Sequence, residues 1–255
     1  MADALVGYTG FVGSNLLRQR TFDDLYNSRN IENIAGRQYE LLVCSGAPAE
    51  KWKANREPEQ DYQNIQRLLT CLERVSAREV IVVSTVDVYP VPHAVDEYSL
   101  IDESRCHPYG RHRLLLEKSL VERFDATVIR LPGLFGKGLK KNIIYDLLHH
   151  NHIEQVHSES VFQFYHLDNL WGDIRKARGH GLKLINFATE PMSVCEVAHS
   201  SFGIDFDNRP NDGPAQYDFR SRHAALFGGS NGYLYSKQQV LAAMATFVTE
   251  ERSGL

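Results

Sequence analysis

The chain has 255 residues, of which 43% are hydrophobic and 24% charged, with a net charge of −4. Such a chain can bury a full core. It has room for one large α/β domain or a domain with a small lobe, and it lacks the basic balance that a nucleic-acid partner leaves. No stretch has the length of a membrane span, and no basic region precedes an apolar run at the N-terminus. Cys44, Cys71, Cys106 and Cys195 have the spacing of neither a zinc pair nor a disulfide scaffold. A cytoplasmic protein with reduced thiols is expected.

In chain order, Ala4-Leu5-Val6 reads as a buried strand that runs straight into glycines, and residues 13–20 read as a helix. Leu41-Leu42-Val43 is a second apolar run, ending at Ser45-Gly46. Tyr62, Ile65, Leu68, Leu69, Leu72 and Val75 share one face at helical spacing. Val80 to Val83 is continuous and β-branched, as a strand covered on both faces should be. Leu114 to Phe124 reads as helix, Thr127-Val128-Ile129 as strand and Leu184-Ile185 as a short strand. Ser236 and Gln239 have capping-box spacing before Val240, Leu241, Met244 and Phe247. This alternation predicts an α/β chain with a doubly wound parallel sheet. After Gly133 the pattern loosens, with Gly, Pro, Asn and Asp clustered at 207–213 and Gly at 228–232. The expected organisation is a nucleotide-binding core over 1–132. The remaining sheet elements and a small C-terminal substrate lobe take 133–255, all as one compact unit.

Gly7-Tyr8-Thr9-Gly10-Phe11-Val12-Gly13 is a G-x-x-G-x-x-G turn between the first strand and the first helix. The first glycine permits a tight turn, the second lets backbone approach a pyrophosphate, and the third lets helix and strand pack closely. The helix start offers unpaired N–H groups and a positive dipole end to phosphates. A Rossmann-type dinucleotide site is therefore expected, with Cys44, Ser45 and Gly46 at the end of the next apolar run among its cofactor-binding residues. Where an acid for the ribose hydroxyls of NAD is looked for, the chain reads Asn27-Ser28-Arg29. A serine and an arginine suit a 2′-phosphate, which favours NADP slightly over NAD.

Ser84-Thr85-Val86-Asp87-Val88-Tyr89-Pro90 follows the 80–83 strand, Tyr109-Gly110-Arg111-His112-Arg113 opens the following helix, and Arg130 to Gly136 ends the next strand. With the glycine turn, these segments resemble the nucleotide-sugar epimerase/dehydratase branch of the extended short-chain dehydrogenases/reductases, over nearly the whole chain. The stretch between the second strand and Leu41 is shortened relative to that family. The resemblance implies a catalytic Thr85, Tyr109 and Arg113, the last standing where the family's Y-x-x-x-K has lysine. It also implies a helix asparagine at Asn64 and a backbone at Pro132 facing the nicotinamide. Spacing of i, i+4 puts Tyr109 and Arg113 on one helical face. A tyrosine hydroxyl, with a pKa of about 10, is a poor base at neutral pH. A fixed positive charge nearby is expected to lower it, so that the phenolate can take a proton from a sugar hydroxyl.

The same resemblance marks Asp87, Asn142, Arg209 and Asp212 as substrate-binding. Val86 stands where dehydratases carry an acid, Gly133 where the family has a substrate-contacting asparagine, and Phe162 where it has a phosphate-binding arginine. Ser193-Val194 before Glu196 resembles a structural segment with a capped helix. His149, His150, His152 and His157 form the one histidine cluster, with no acidic or cysteine partner to make a metal site of it. The implied function is an NAD(P)-dependent enzyme acting on a nucleotide sugar, an epimerase first and a keto-sugar reductase second, working as a homodimer through two helices. The rival expectations are a redox-inactive NAD(P)-binding regulator and a reductase of a non-nucleotide carbonyl compound.

Overall fold

The structure, a computed structural model, describes residues 1–254. Its centre is a six-stranded sheet. The first strands and helices in chain order are β1 (Ala2–Val6), α1 (Phe11–Gln19), β2 (Asp24–Tyr26), β3 (Gln38–Cys44), α2 (Lys51–Arg56), α3 (Pro58–Leu72), β4 (Ser76–Thr85) and, after a detour, α4 (Pro108–Arg123). Across the sheet, the strand Leu184–Asn186 lies beside Ala126–Leu131, followed by β4, β3, β1 and β2. β1 pairs with β2 and β3, β3 with β4, and β4 with Ala126–Leu131, all in parallel. This is the expected doubly wound α/β sheet.

Alternation along these strands explains why both faces are covered. Ala4, Val6, Leu42, Cys44, Val80, Val82, Ala126 and Val128 point into one core, which α3 fills with Ile65, Leu68 and Leu72 and α4 with Leu116 and Leu120. Their neighbours Leu5, Leu41, Val43, Ile81 and Ile129 point the other way and are equally buried. A sheet that is dry on both faces needs continuous apolar strands, as the sequence has here.

The chain divides into two compact units. The first comprises residues 1–90, 99–131 and 170–185, and holds the sheet with α1 to α4 and the helix Leu170–Gly179. The second comprises, among the described residues, 91–98, 132–169 and 186–254. It is built from two-stranded pairings, Gly133–Phe135 with Phe164–His166, Val161–Phe162 with Met192–Ser193, and His93–Val95 with Asp218–Phe219. Its core gathers Phe135, Ile144, Leu147, Phe164, Met192, Met244 and Phe247. Buried Glu97 ties its loops together, accepting from Asn186 N (2.9 Å), Ser221 Oγ (2.6 Å) and Arg222 N (2.9 Å). The capped helices predicted at Ser193 and Ser236 both form, with Glu196 and Gln239 reaching back to the capping backbone.

Element ends differ from the periodicity reading where apolar pattern is thin. α4 starts at Pro108, because a proline in the first turn costs no hydrogen bond. The first helix starts at Phe11, earlier than residue 13. β2 is only three residues long, and a single short turn, Ile31–Ile34, links it to β3. That is the physical form of the shortened stretch before Leu41.

Candidate active site

β1 sits between β2 and β3, so the chain changes direction across the sheet at β1, the point where doubly wound sheets bind ligands at the carboxyl ends of their strands. The glycine turn lies at this point. Gly7 has φ +89°, and a Cβ on it would come within 2.3 Å of the Ser45 carbonyl oxygen. A Cβ on Gly13 would lie 2.1 Å from the Gly7 carbonyl oxygen. Gly7 N donates to Tyr26 O (2.7 Å), and Ser45 N and Oγ both donate to Val6 O (2.9 and 2.8 Å). Turn, β2 end and β3 end are thus one interlocked piece. Thr9 and Gly10 at its tip are exposed. Gly10 caps α1 without a side-chain hydrogen bond, and the first turn of α1 carries no acid. An uncapped, glycine-lined helix start is what a pyrophosphate needs.

Of the other residues read as cofactor-binding, Ser45 and Gly46 form the adjacent lip. The Cys44 side chain turns into the core, where burial pushes its thiol up to about 11. Only the Cys44 backbone can face the glycine turn. Asn27, Ser28 and Arg29 follow directly on β2. Asn27 Oδ1 accepts from Arg29 N (2.9 Å), and Arg67 of α3 donates to Ser28 O (3.0 Å) while pairing with Glu32. No acid stands among these three residues.

Thr85 ends β4, and its Oγ1 accepts from Asp87 N (3.1 Å), capping the short turn Val86–Val88. Tyr109 lies in the first turn of α4. These two elements meet because residue 110 is glycine. A Cβ there would stand 2.0 Å from the Asp87 carbonyl oxygen. α2 closes the same corner, where Asn55 Oδ1 accepts from Tyr109 N (3.0 Å) and Lys51 pairs with Asp87 (2.7 Å). Gly110, Asn55 and Lys51 were not singled out from the sequence. No spacing marks them, because each acts across elements far apart in the chain.

Arg113 is committed elsewhere than the resemblance implies. Its two Nη groups grip the buried carboxylate of Asp61, one of them at 2.8 Å, and also donate to the carbonyls of Tyr109 (3.2 Å) and Pro48. His112 Nδ1 shares the same carboxylate at 2.7 Å. The guanidinium carbon lies 4.0 Å from the centre of the Tyr109 ring, over its face. Arg113 Nε is buried with no hydrogen-bond partner, one N–H left over in an otherwise saturated cluster. Asn64, one turn after Asp61 on α3, is exposed, and the side chain that faces α4 is Asp61.

Burial therefore outweighs the charge expected to lower the Tyr109 hydroxyl. Desolvation raises it above its ordinary value, Arg113 and Lys51 pull it down, and Asp87 and Asp61 push it up. The sign of the Arg113 effect is as expected, but desolvation of the hydroxyl is the larger effect.

Behind the corner, Ser84 Oγ donates to Glu117, Glu117 holds Arg130 (2.6 Å), and Arg130 donates to the Tyr89 hydroxyl (2.8 Å), with all four residues buried. This network clamps β4, α4 and the strand Ala126–Leu131 together. It leaves Thr85, not Ser84, as the hydroxyl free of the core.

In the second unit, Pro132 directly precedes the strand Gly133–Phe135. Asn142 caps the helix Ile143–His149, accepting from Ile144 N (3.0 Å) and Tyr145 N (3.3 Å) and donating to Leu134 O (2.8 Å). Its polar atoms are thus engaged with backbone. Arg209 is exposed and pairs with Glu159 (2.8 Å), and Asp212 is exposed on the same loop. Phe162 packs its ring with Phe164 and Tyr217. Among the described residues, no three His, Cys, Asp or Glu side chains gather as metal ligands.

No family model and no curated protein matches this chain. Solved structures do. A UDP-N-acetylglucosamine 4-epimerase from Methanobrevibacter ruminantium, in complex with UDP-N-acetylmuramic acid, superposes with a TM-score of 0.75 at 15% identity, covering 100% of this chain and 99% of its own. A dTDP-4-dehydrorhamnose reductase from Bacillus anthracis, in complex with NADP, gives 0.73 at 15% identity and 97% coverage of both chains. A UDP-glucose-4-epimerase from Stenotrophomonas maltophila with bound NAD gives 0.70 at 12% identity and full coverage of both. The chain shares their fold. No helix among the described residues is long and apolar enough to cross a membrane.

Proposed function

We propose that this protein is an NAD(P)-dependent enzyme acting on a nucleotide sugar, as an epimerase or a keto-sugar reductase. The observation that carries the reading is the corner where Gly110 seats α4 on Asp87, setting Tyr109 and Thr85 in one unit with the glycine turn. The bound nicotinamide would supply the hydride acceptor or donor. The glycine turn and the uncapped start of α1 hold its pyrophosphate. Tyr109 exchanges a proton with a sugar hydroxyl, and Thr85 hydrogen-bonds the same oxygen. Arg113 holds the Tyr109 ring from its face. With Val86 in place of an acid, 4,6-dehydration is disfavoured.

NADP is the preferred cofactor in this proposal. Asn27, Ser28 and Arg29 follow β2 without an acid, and Arg67 adds a second guanidinium beside them. Substrate contacts through Asp87, Arg209 and Asp212 rest on the sequence resemblance. A homodimer through α3 and α4 is supported by the exposed Tyr62 and Val121 on those helices. A cytoplasmic setting is supported by the four free cysteines.

The test is turnover of the purified protein against UDP-, GDP-, dTDP- and CDP-sugars, with NAD and NADP supplied separately and products read by NMR. Product from one sugar, lost in Tyr109→Phe, is the expected result. Cofactor binding without product from any sugar would overturn the reading in favour of a redox-inactive binder.

A further inference from the structure

Arg113 cannot respond freely to the charge on Tyr109. Both its Nη groups are fixed by Asp61 and two backbone carbonyls, and its charge is matched by a carboxylate in the same cluster. A second cation stands at the opposite side of the corner. Lys51 and Asn55 are i and i+4 on α2 and so share a face. Asn55 holds the Tyr109 backbone (3.0 Å), and Lys51 reaches Asp87 (2.7 Å), whose own backbone is pressed against Gly110. Lys51 is 42% exposed on its side chain, whereas Arg113 is 3% exposed, so Lys51 is the cation of the pair that stands close to solvent.

We propose that Lys51 is a positioning residue of the Tyr109 site, the solvent-side cation that steadies the tyrosine oxygen as it loses its proton, with Asp87 as its partner. This rests on the reading of Tyr109 as the acid/base and adds a part that the local Tyr109–Arg113 spacing does not contain. Among the described residues, the charged groups that act on Tyr109 are four. Arg113 lies on its own helix, Asp61 on α3, Lys51 on α2 and Asp87 after β4. The signs of their effects agree with this division, Lys51 favouring the ionised tyrosine and Asp87 opposing it.

The experiment incorporates 3,5-difluorotyrosine at position 109, which brings the phenol into an accessible titration range, and follows its ionisation by 19F NMR. The backgrounds are the otherwise unchanged protein, Lys51→Met, Lys51→Arg, Asp87→Asn and the Lys51→Met/Asp87→Asn pair. Lys51→Met should raise the apparent pKa by about 0.5–1 unit, the effect of one charge across a partly hydrated gap. Lys51→Arg should restore most of it, Asp87→Asn should lower it, and the double variant should return close to the starting value. An unchanged titration in Lys51→Met, or equal shifts in Lys51→Met and Lys51→Arg, overturns the proposal. The measurement needs no substrate, so its failure is separable from failure of the Tyr109 reading, which the sugar panel with Tyr109→Phe decides.

Discussion

The carboxylate of Asp61 explains why residue 113 can be arginine. A planar fork reaches two carboxylate oxygens and two carbonyls at once, whereas an ammonium is a point charge with three donors. His112 leans on the same carboxylate, so removing it leaves a buried cation unpaired and an imidazole without its acceptor. Asp61→Ala is expected to cost about 3–5 kcal/mol, as breaking one side of a buried pair does. Urea unfolding of the variant checks this, and a loss below about 1 kcal/mol would mean that the cluster is hydrated and that Arg113 is freer than its contacts imply. At this scale the sequence was only half legible. Thr85, Tyr109 and Arg113 were singled out by their resemblance to a family's motifs, with spacing adding only that Tyr109 and Arg113 share a helical face. Asp61 could not be, because a lone acid on an amphipathic helix looks like any solvated residue until the opposing helix is in place.

At the scale of elements, the meeting of α4 with the Val86–Val88 turn depends on one missing methyl. Gly110→Ala must lift α4 away from the Asp87 carbonyl or push the turn aside, since the added carbon would sit at 2.0 Å from that oxygen. The glycine turn lies on a different pair of elements, β1 and α1. Gly110→Ala should therefore abolish turnover while cofactor affinity, measured calorimetrically, falls by less than about threefold. Parallel loss of both would show that the two halves of the site are mechanically one. The strands and helices of the sheet were largely readable, because apolar runs with period 2 and period 3.6 are long there. The short pairings of the second unit were not. Strands of two or three residues such as Val161–Phe162 carry no period of their own and exist through contacts such as Gln163, which donates to Thr189 O (2.5 Å) and Phe219 O (2.8 Å).

At the scale of the whole molecule, a sheet dry on both faces makes stability sensitive to alkali. Cys44 is fully buried at the end of β3, and its thiol is raised from 9.0 to about 11. The unfolded chain ionises this thiol first, so the stabilisation is complete below the unfolded value and drains away as pH rises towards about 11. The urea midpoint should fall between about pH 8 and pH 10.5, and fall less in Cys44→Ala. Equal slopes in the two proteins would show that the thiol reaches water in the folded state. The order of strands has a consequence for the chain as it is made. When synthesis has passed Leu131, five of the six strands exist, but the sixth, Leu184–Asn186, has yet to leave the ribosome. Until it does, Ala126–Leu131, buried at every position in the finished protein, presents a bare edge that any other extended chain can join. Birth of this chain thus contains an interval of adhesiveness, which makes the nascent form, more than the mature one, the one in need of a chaperone.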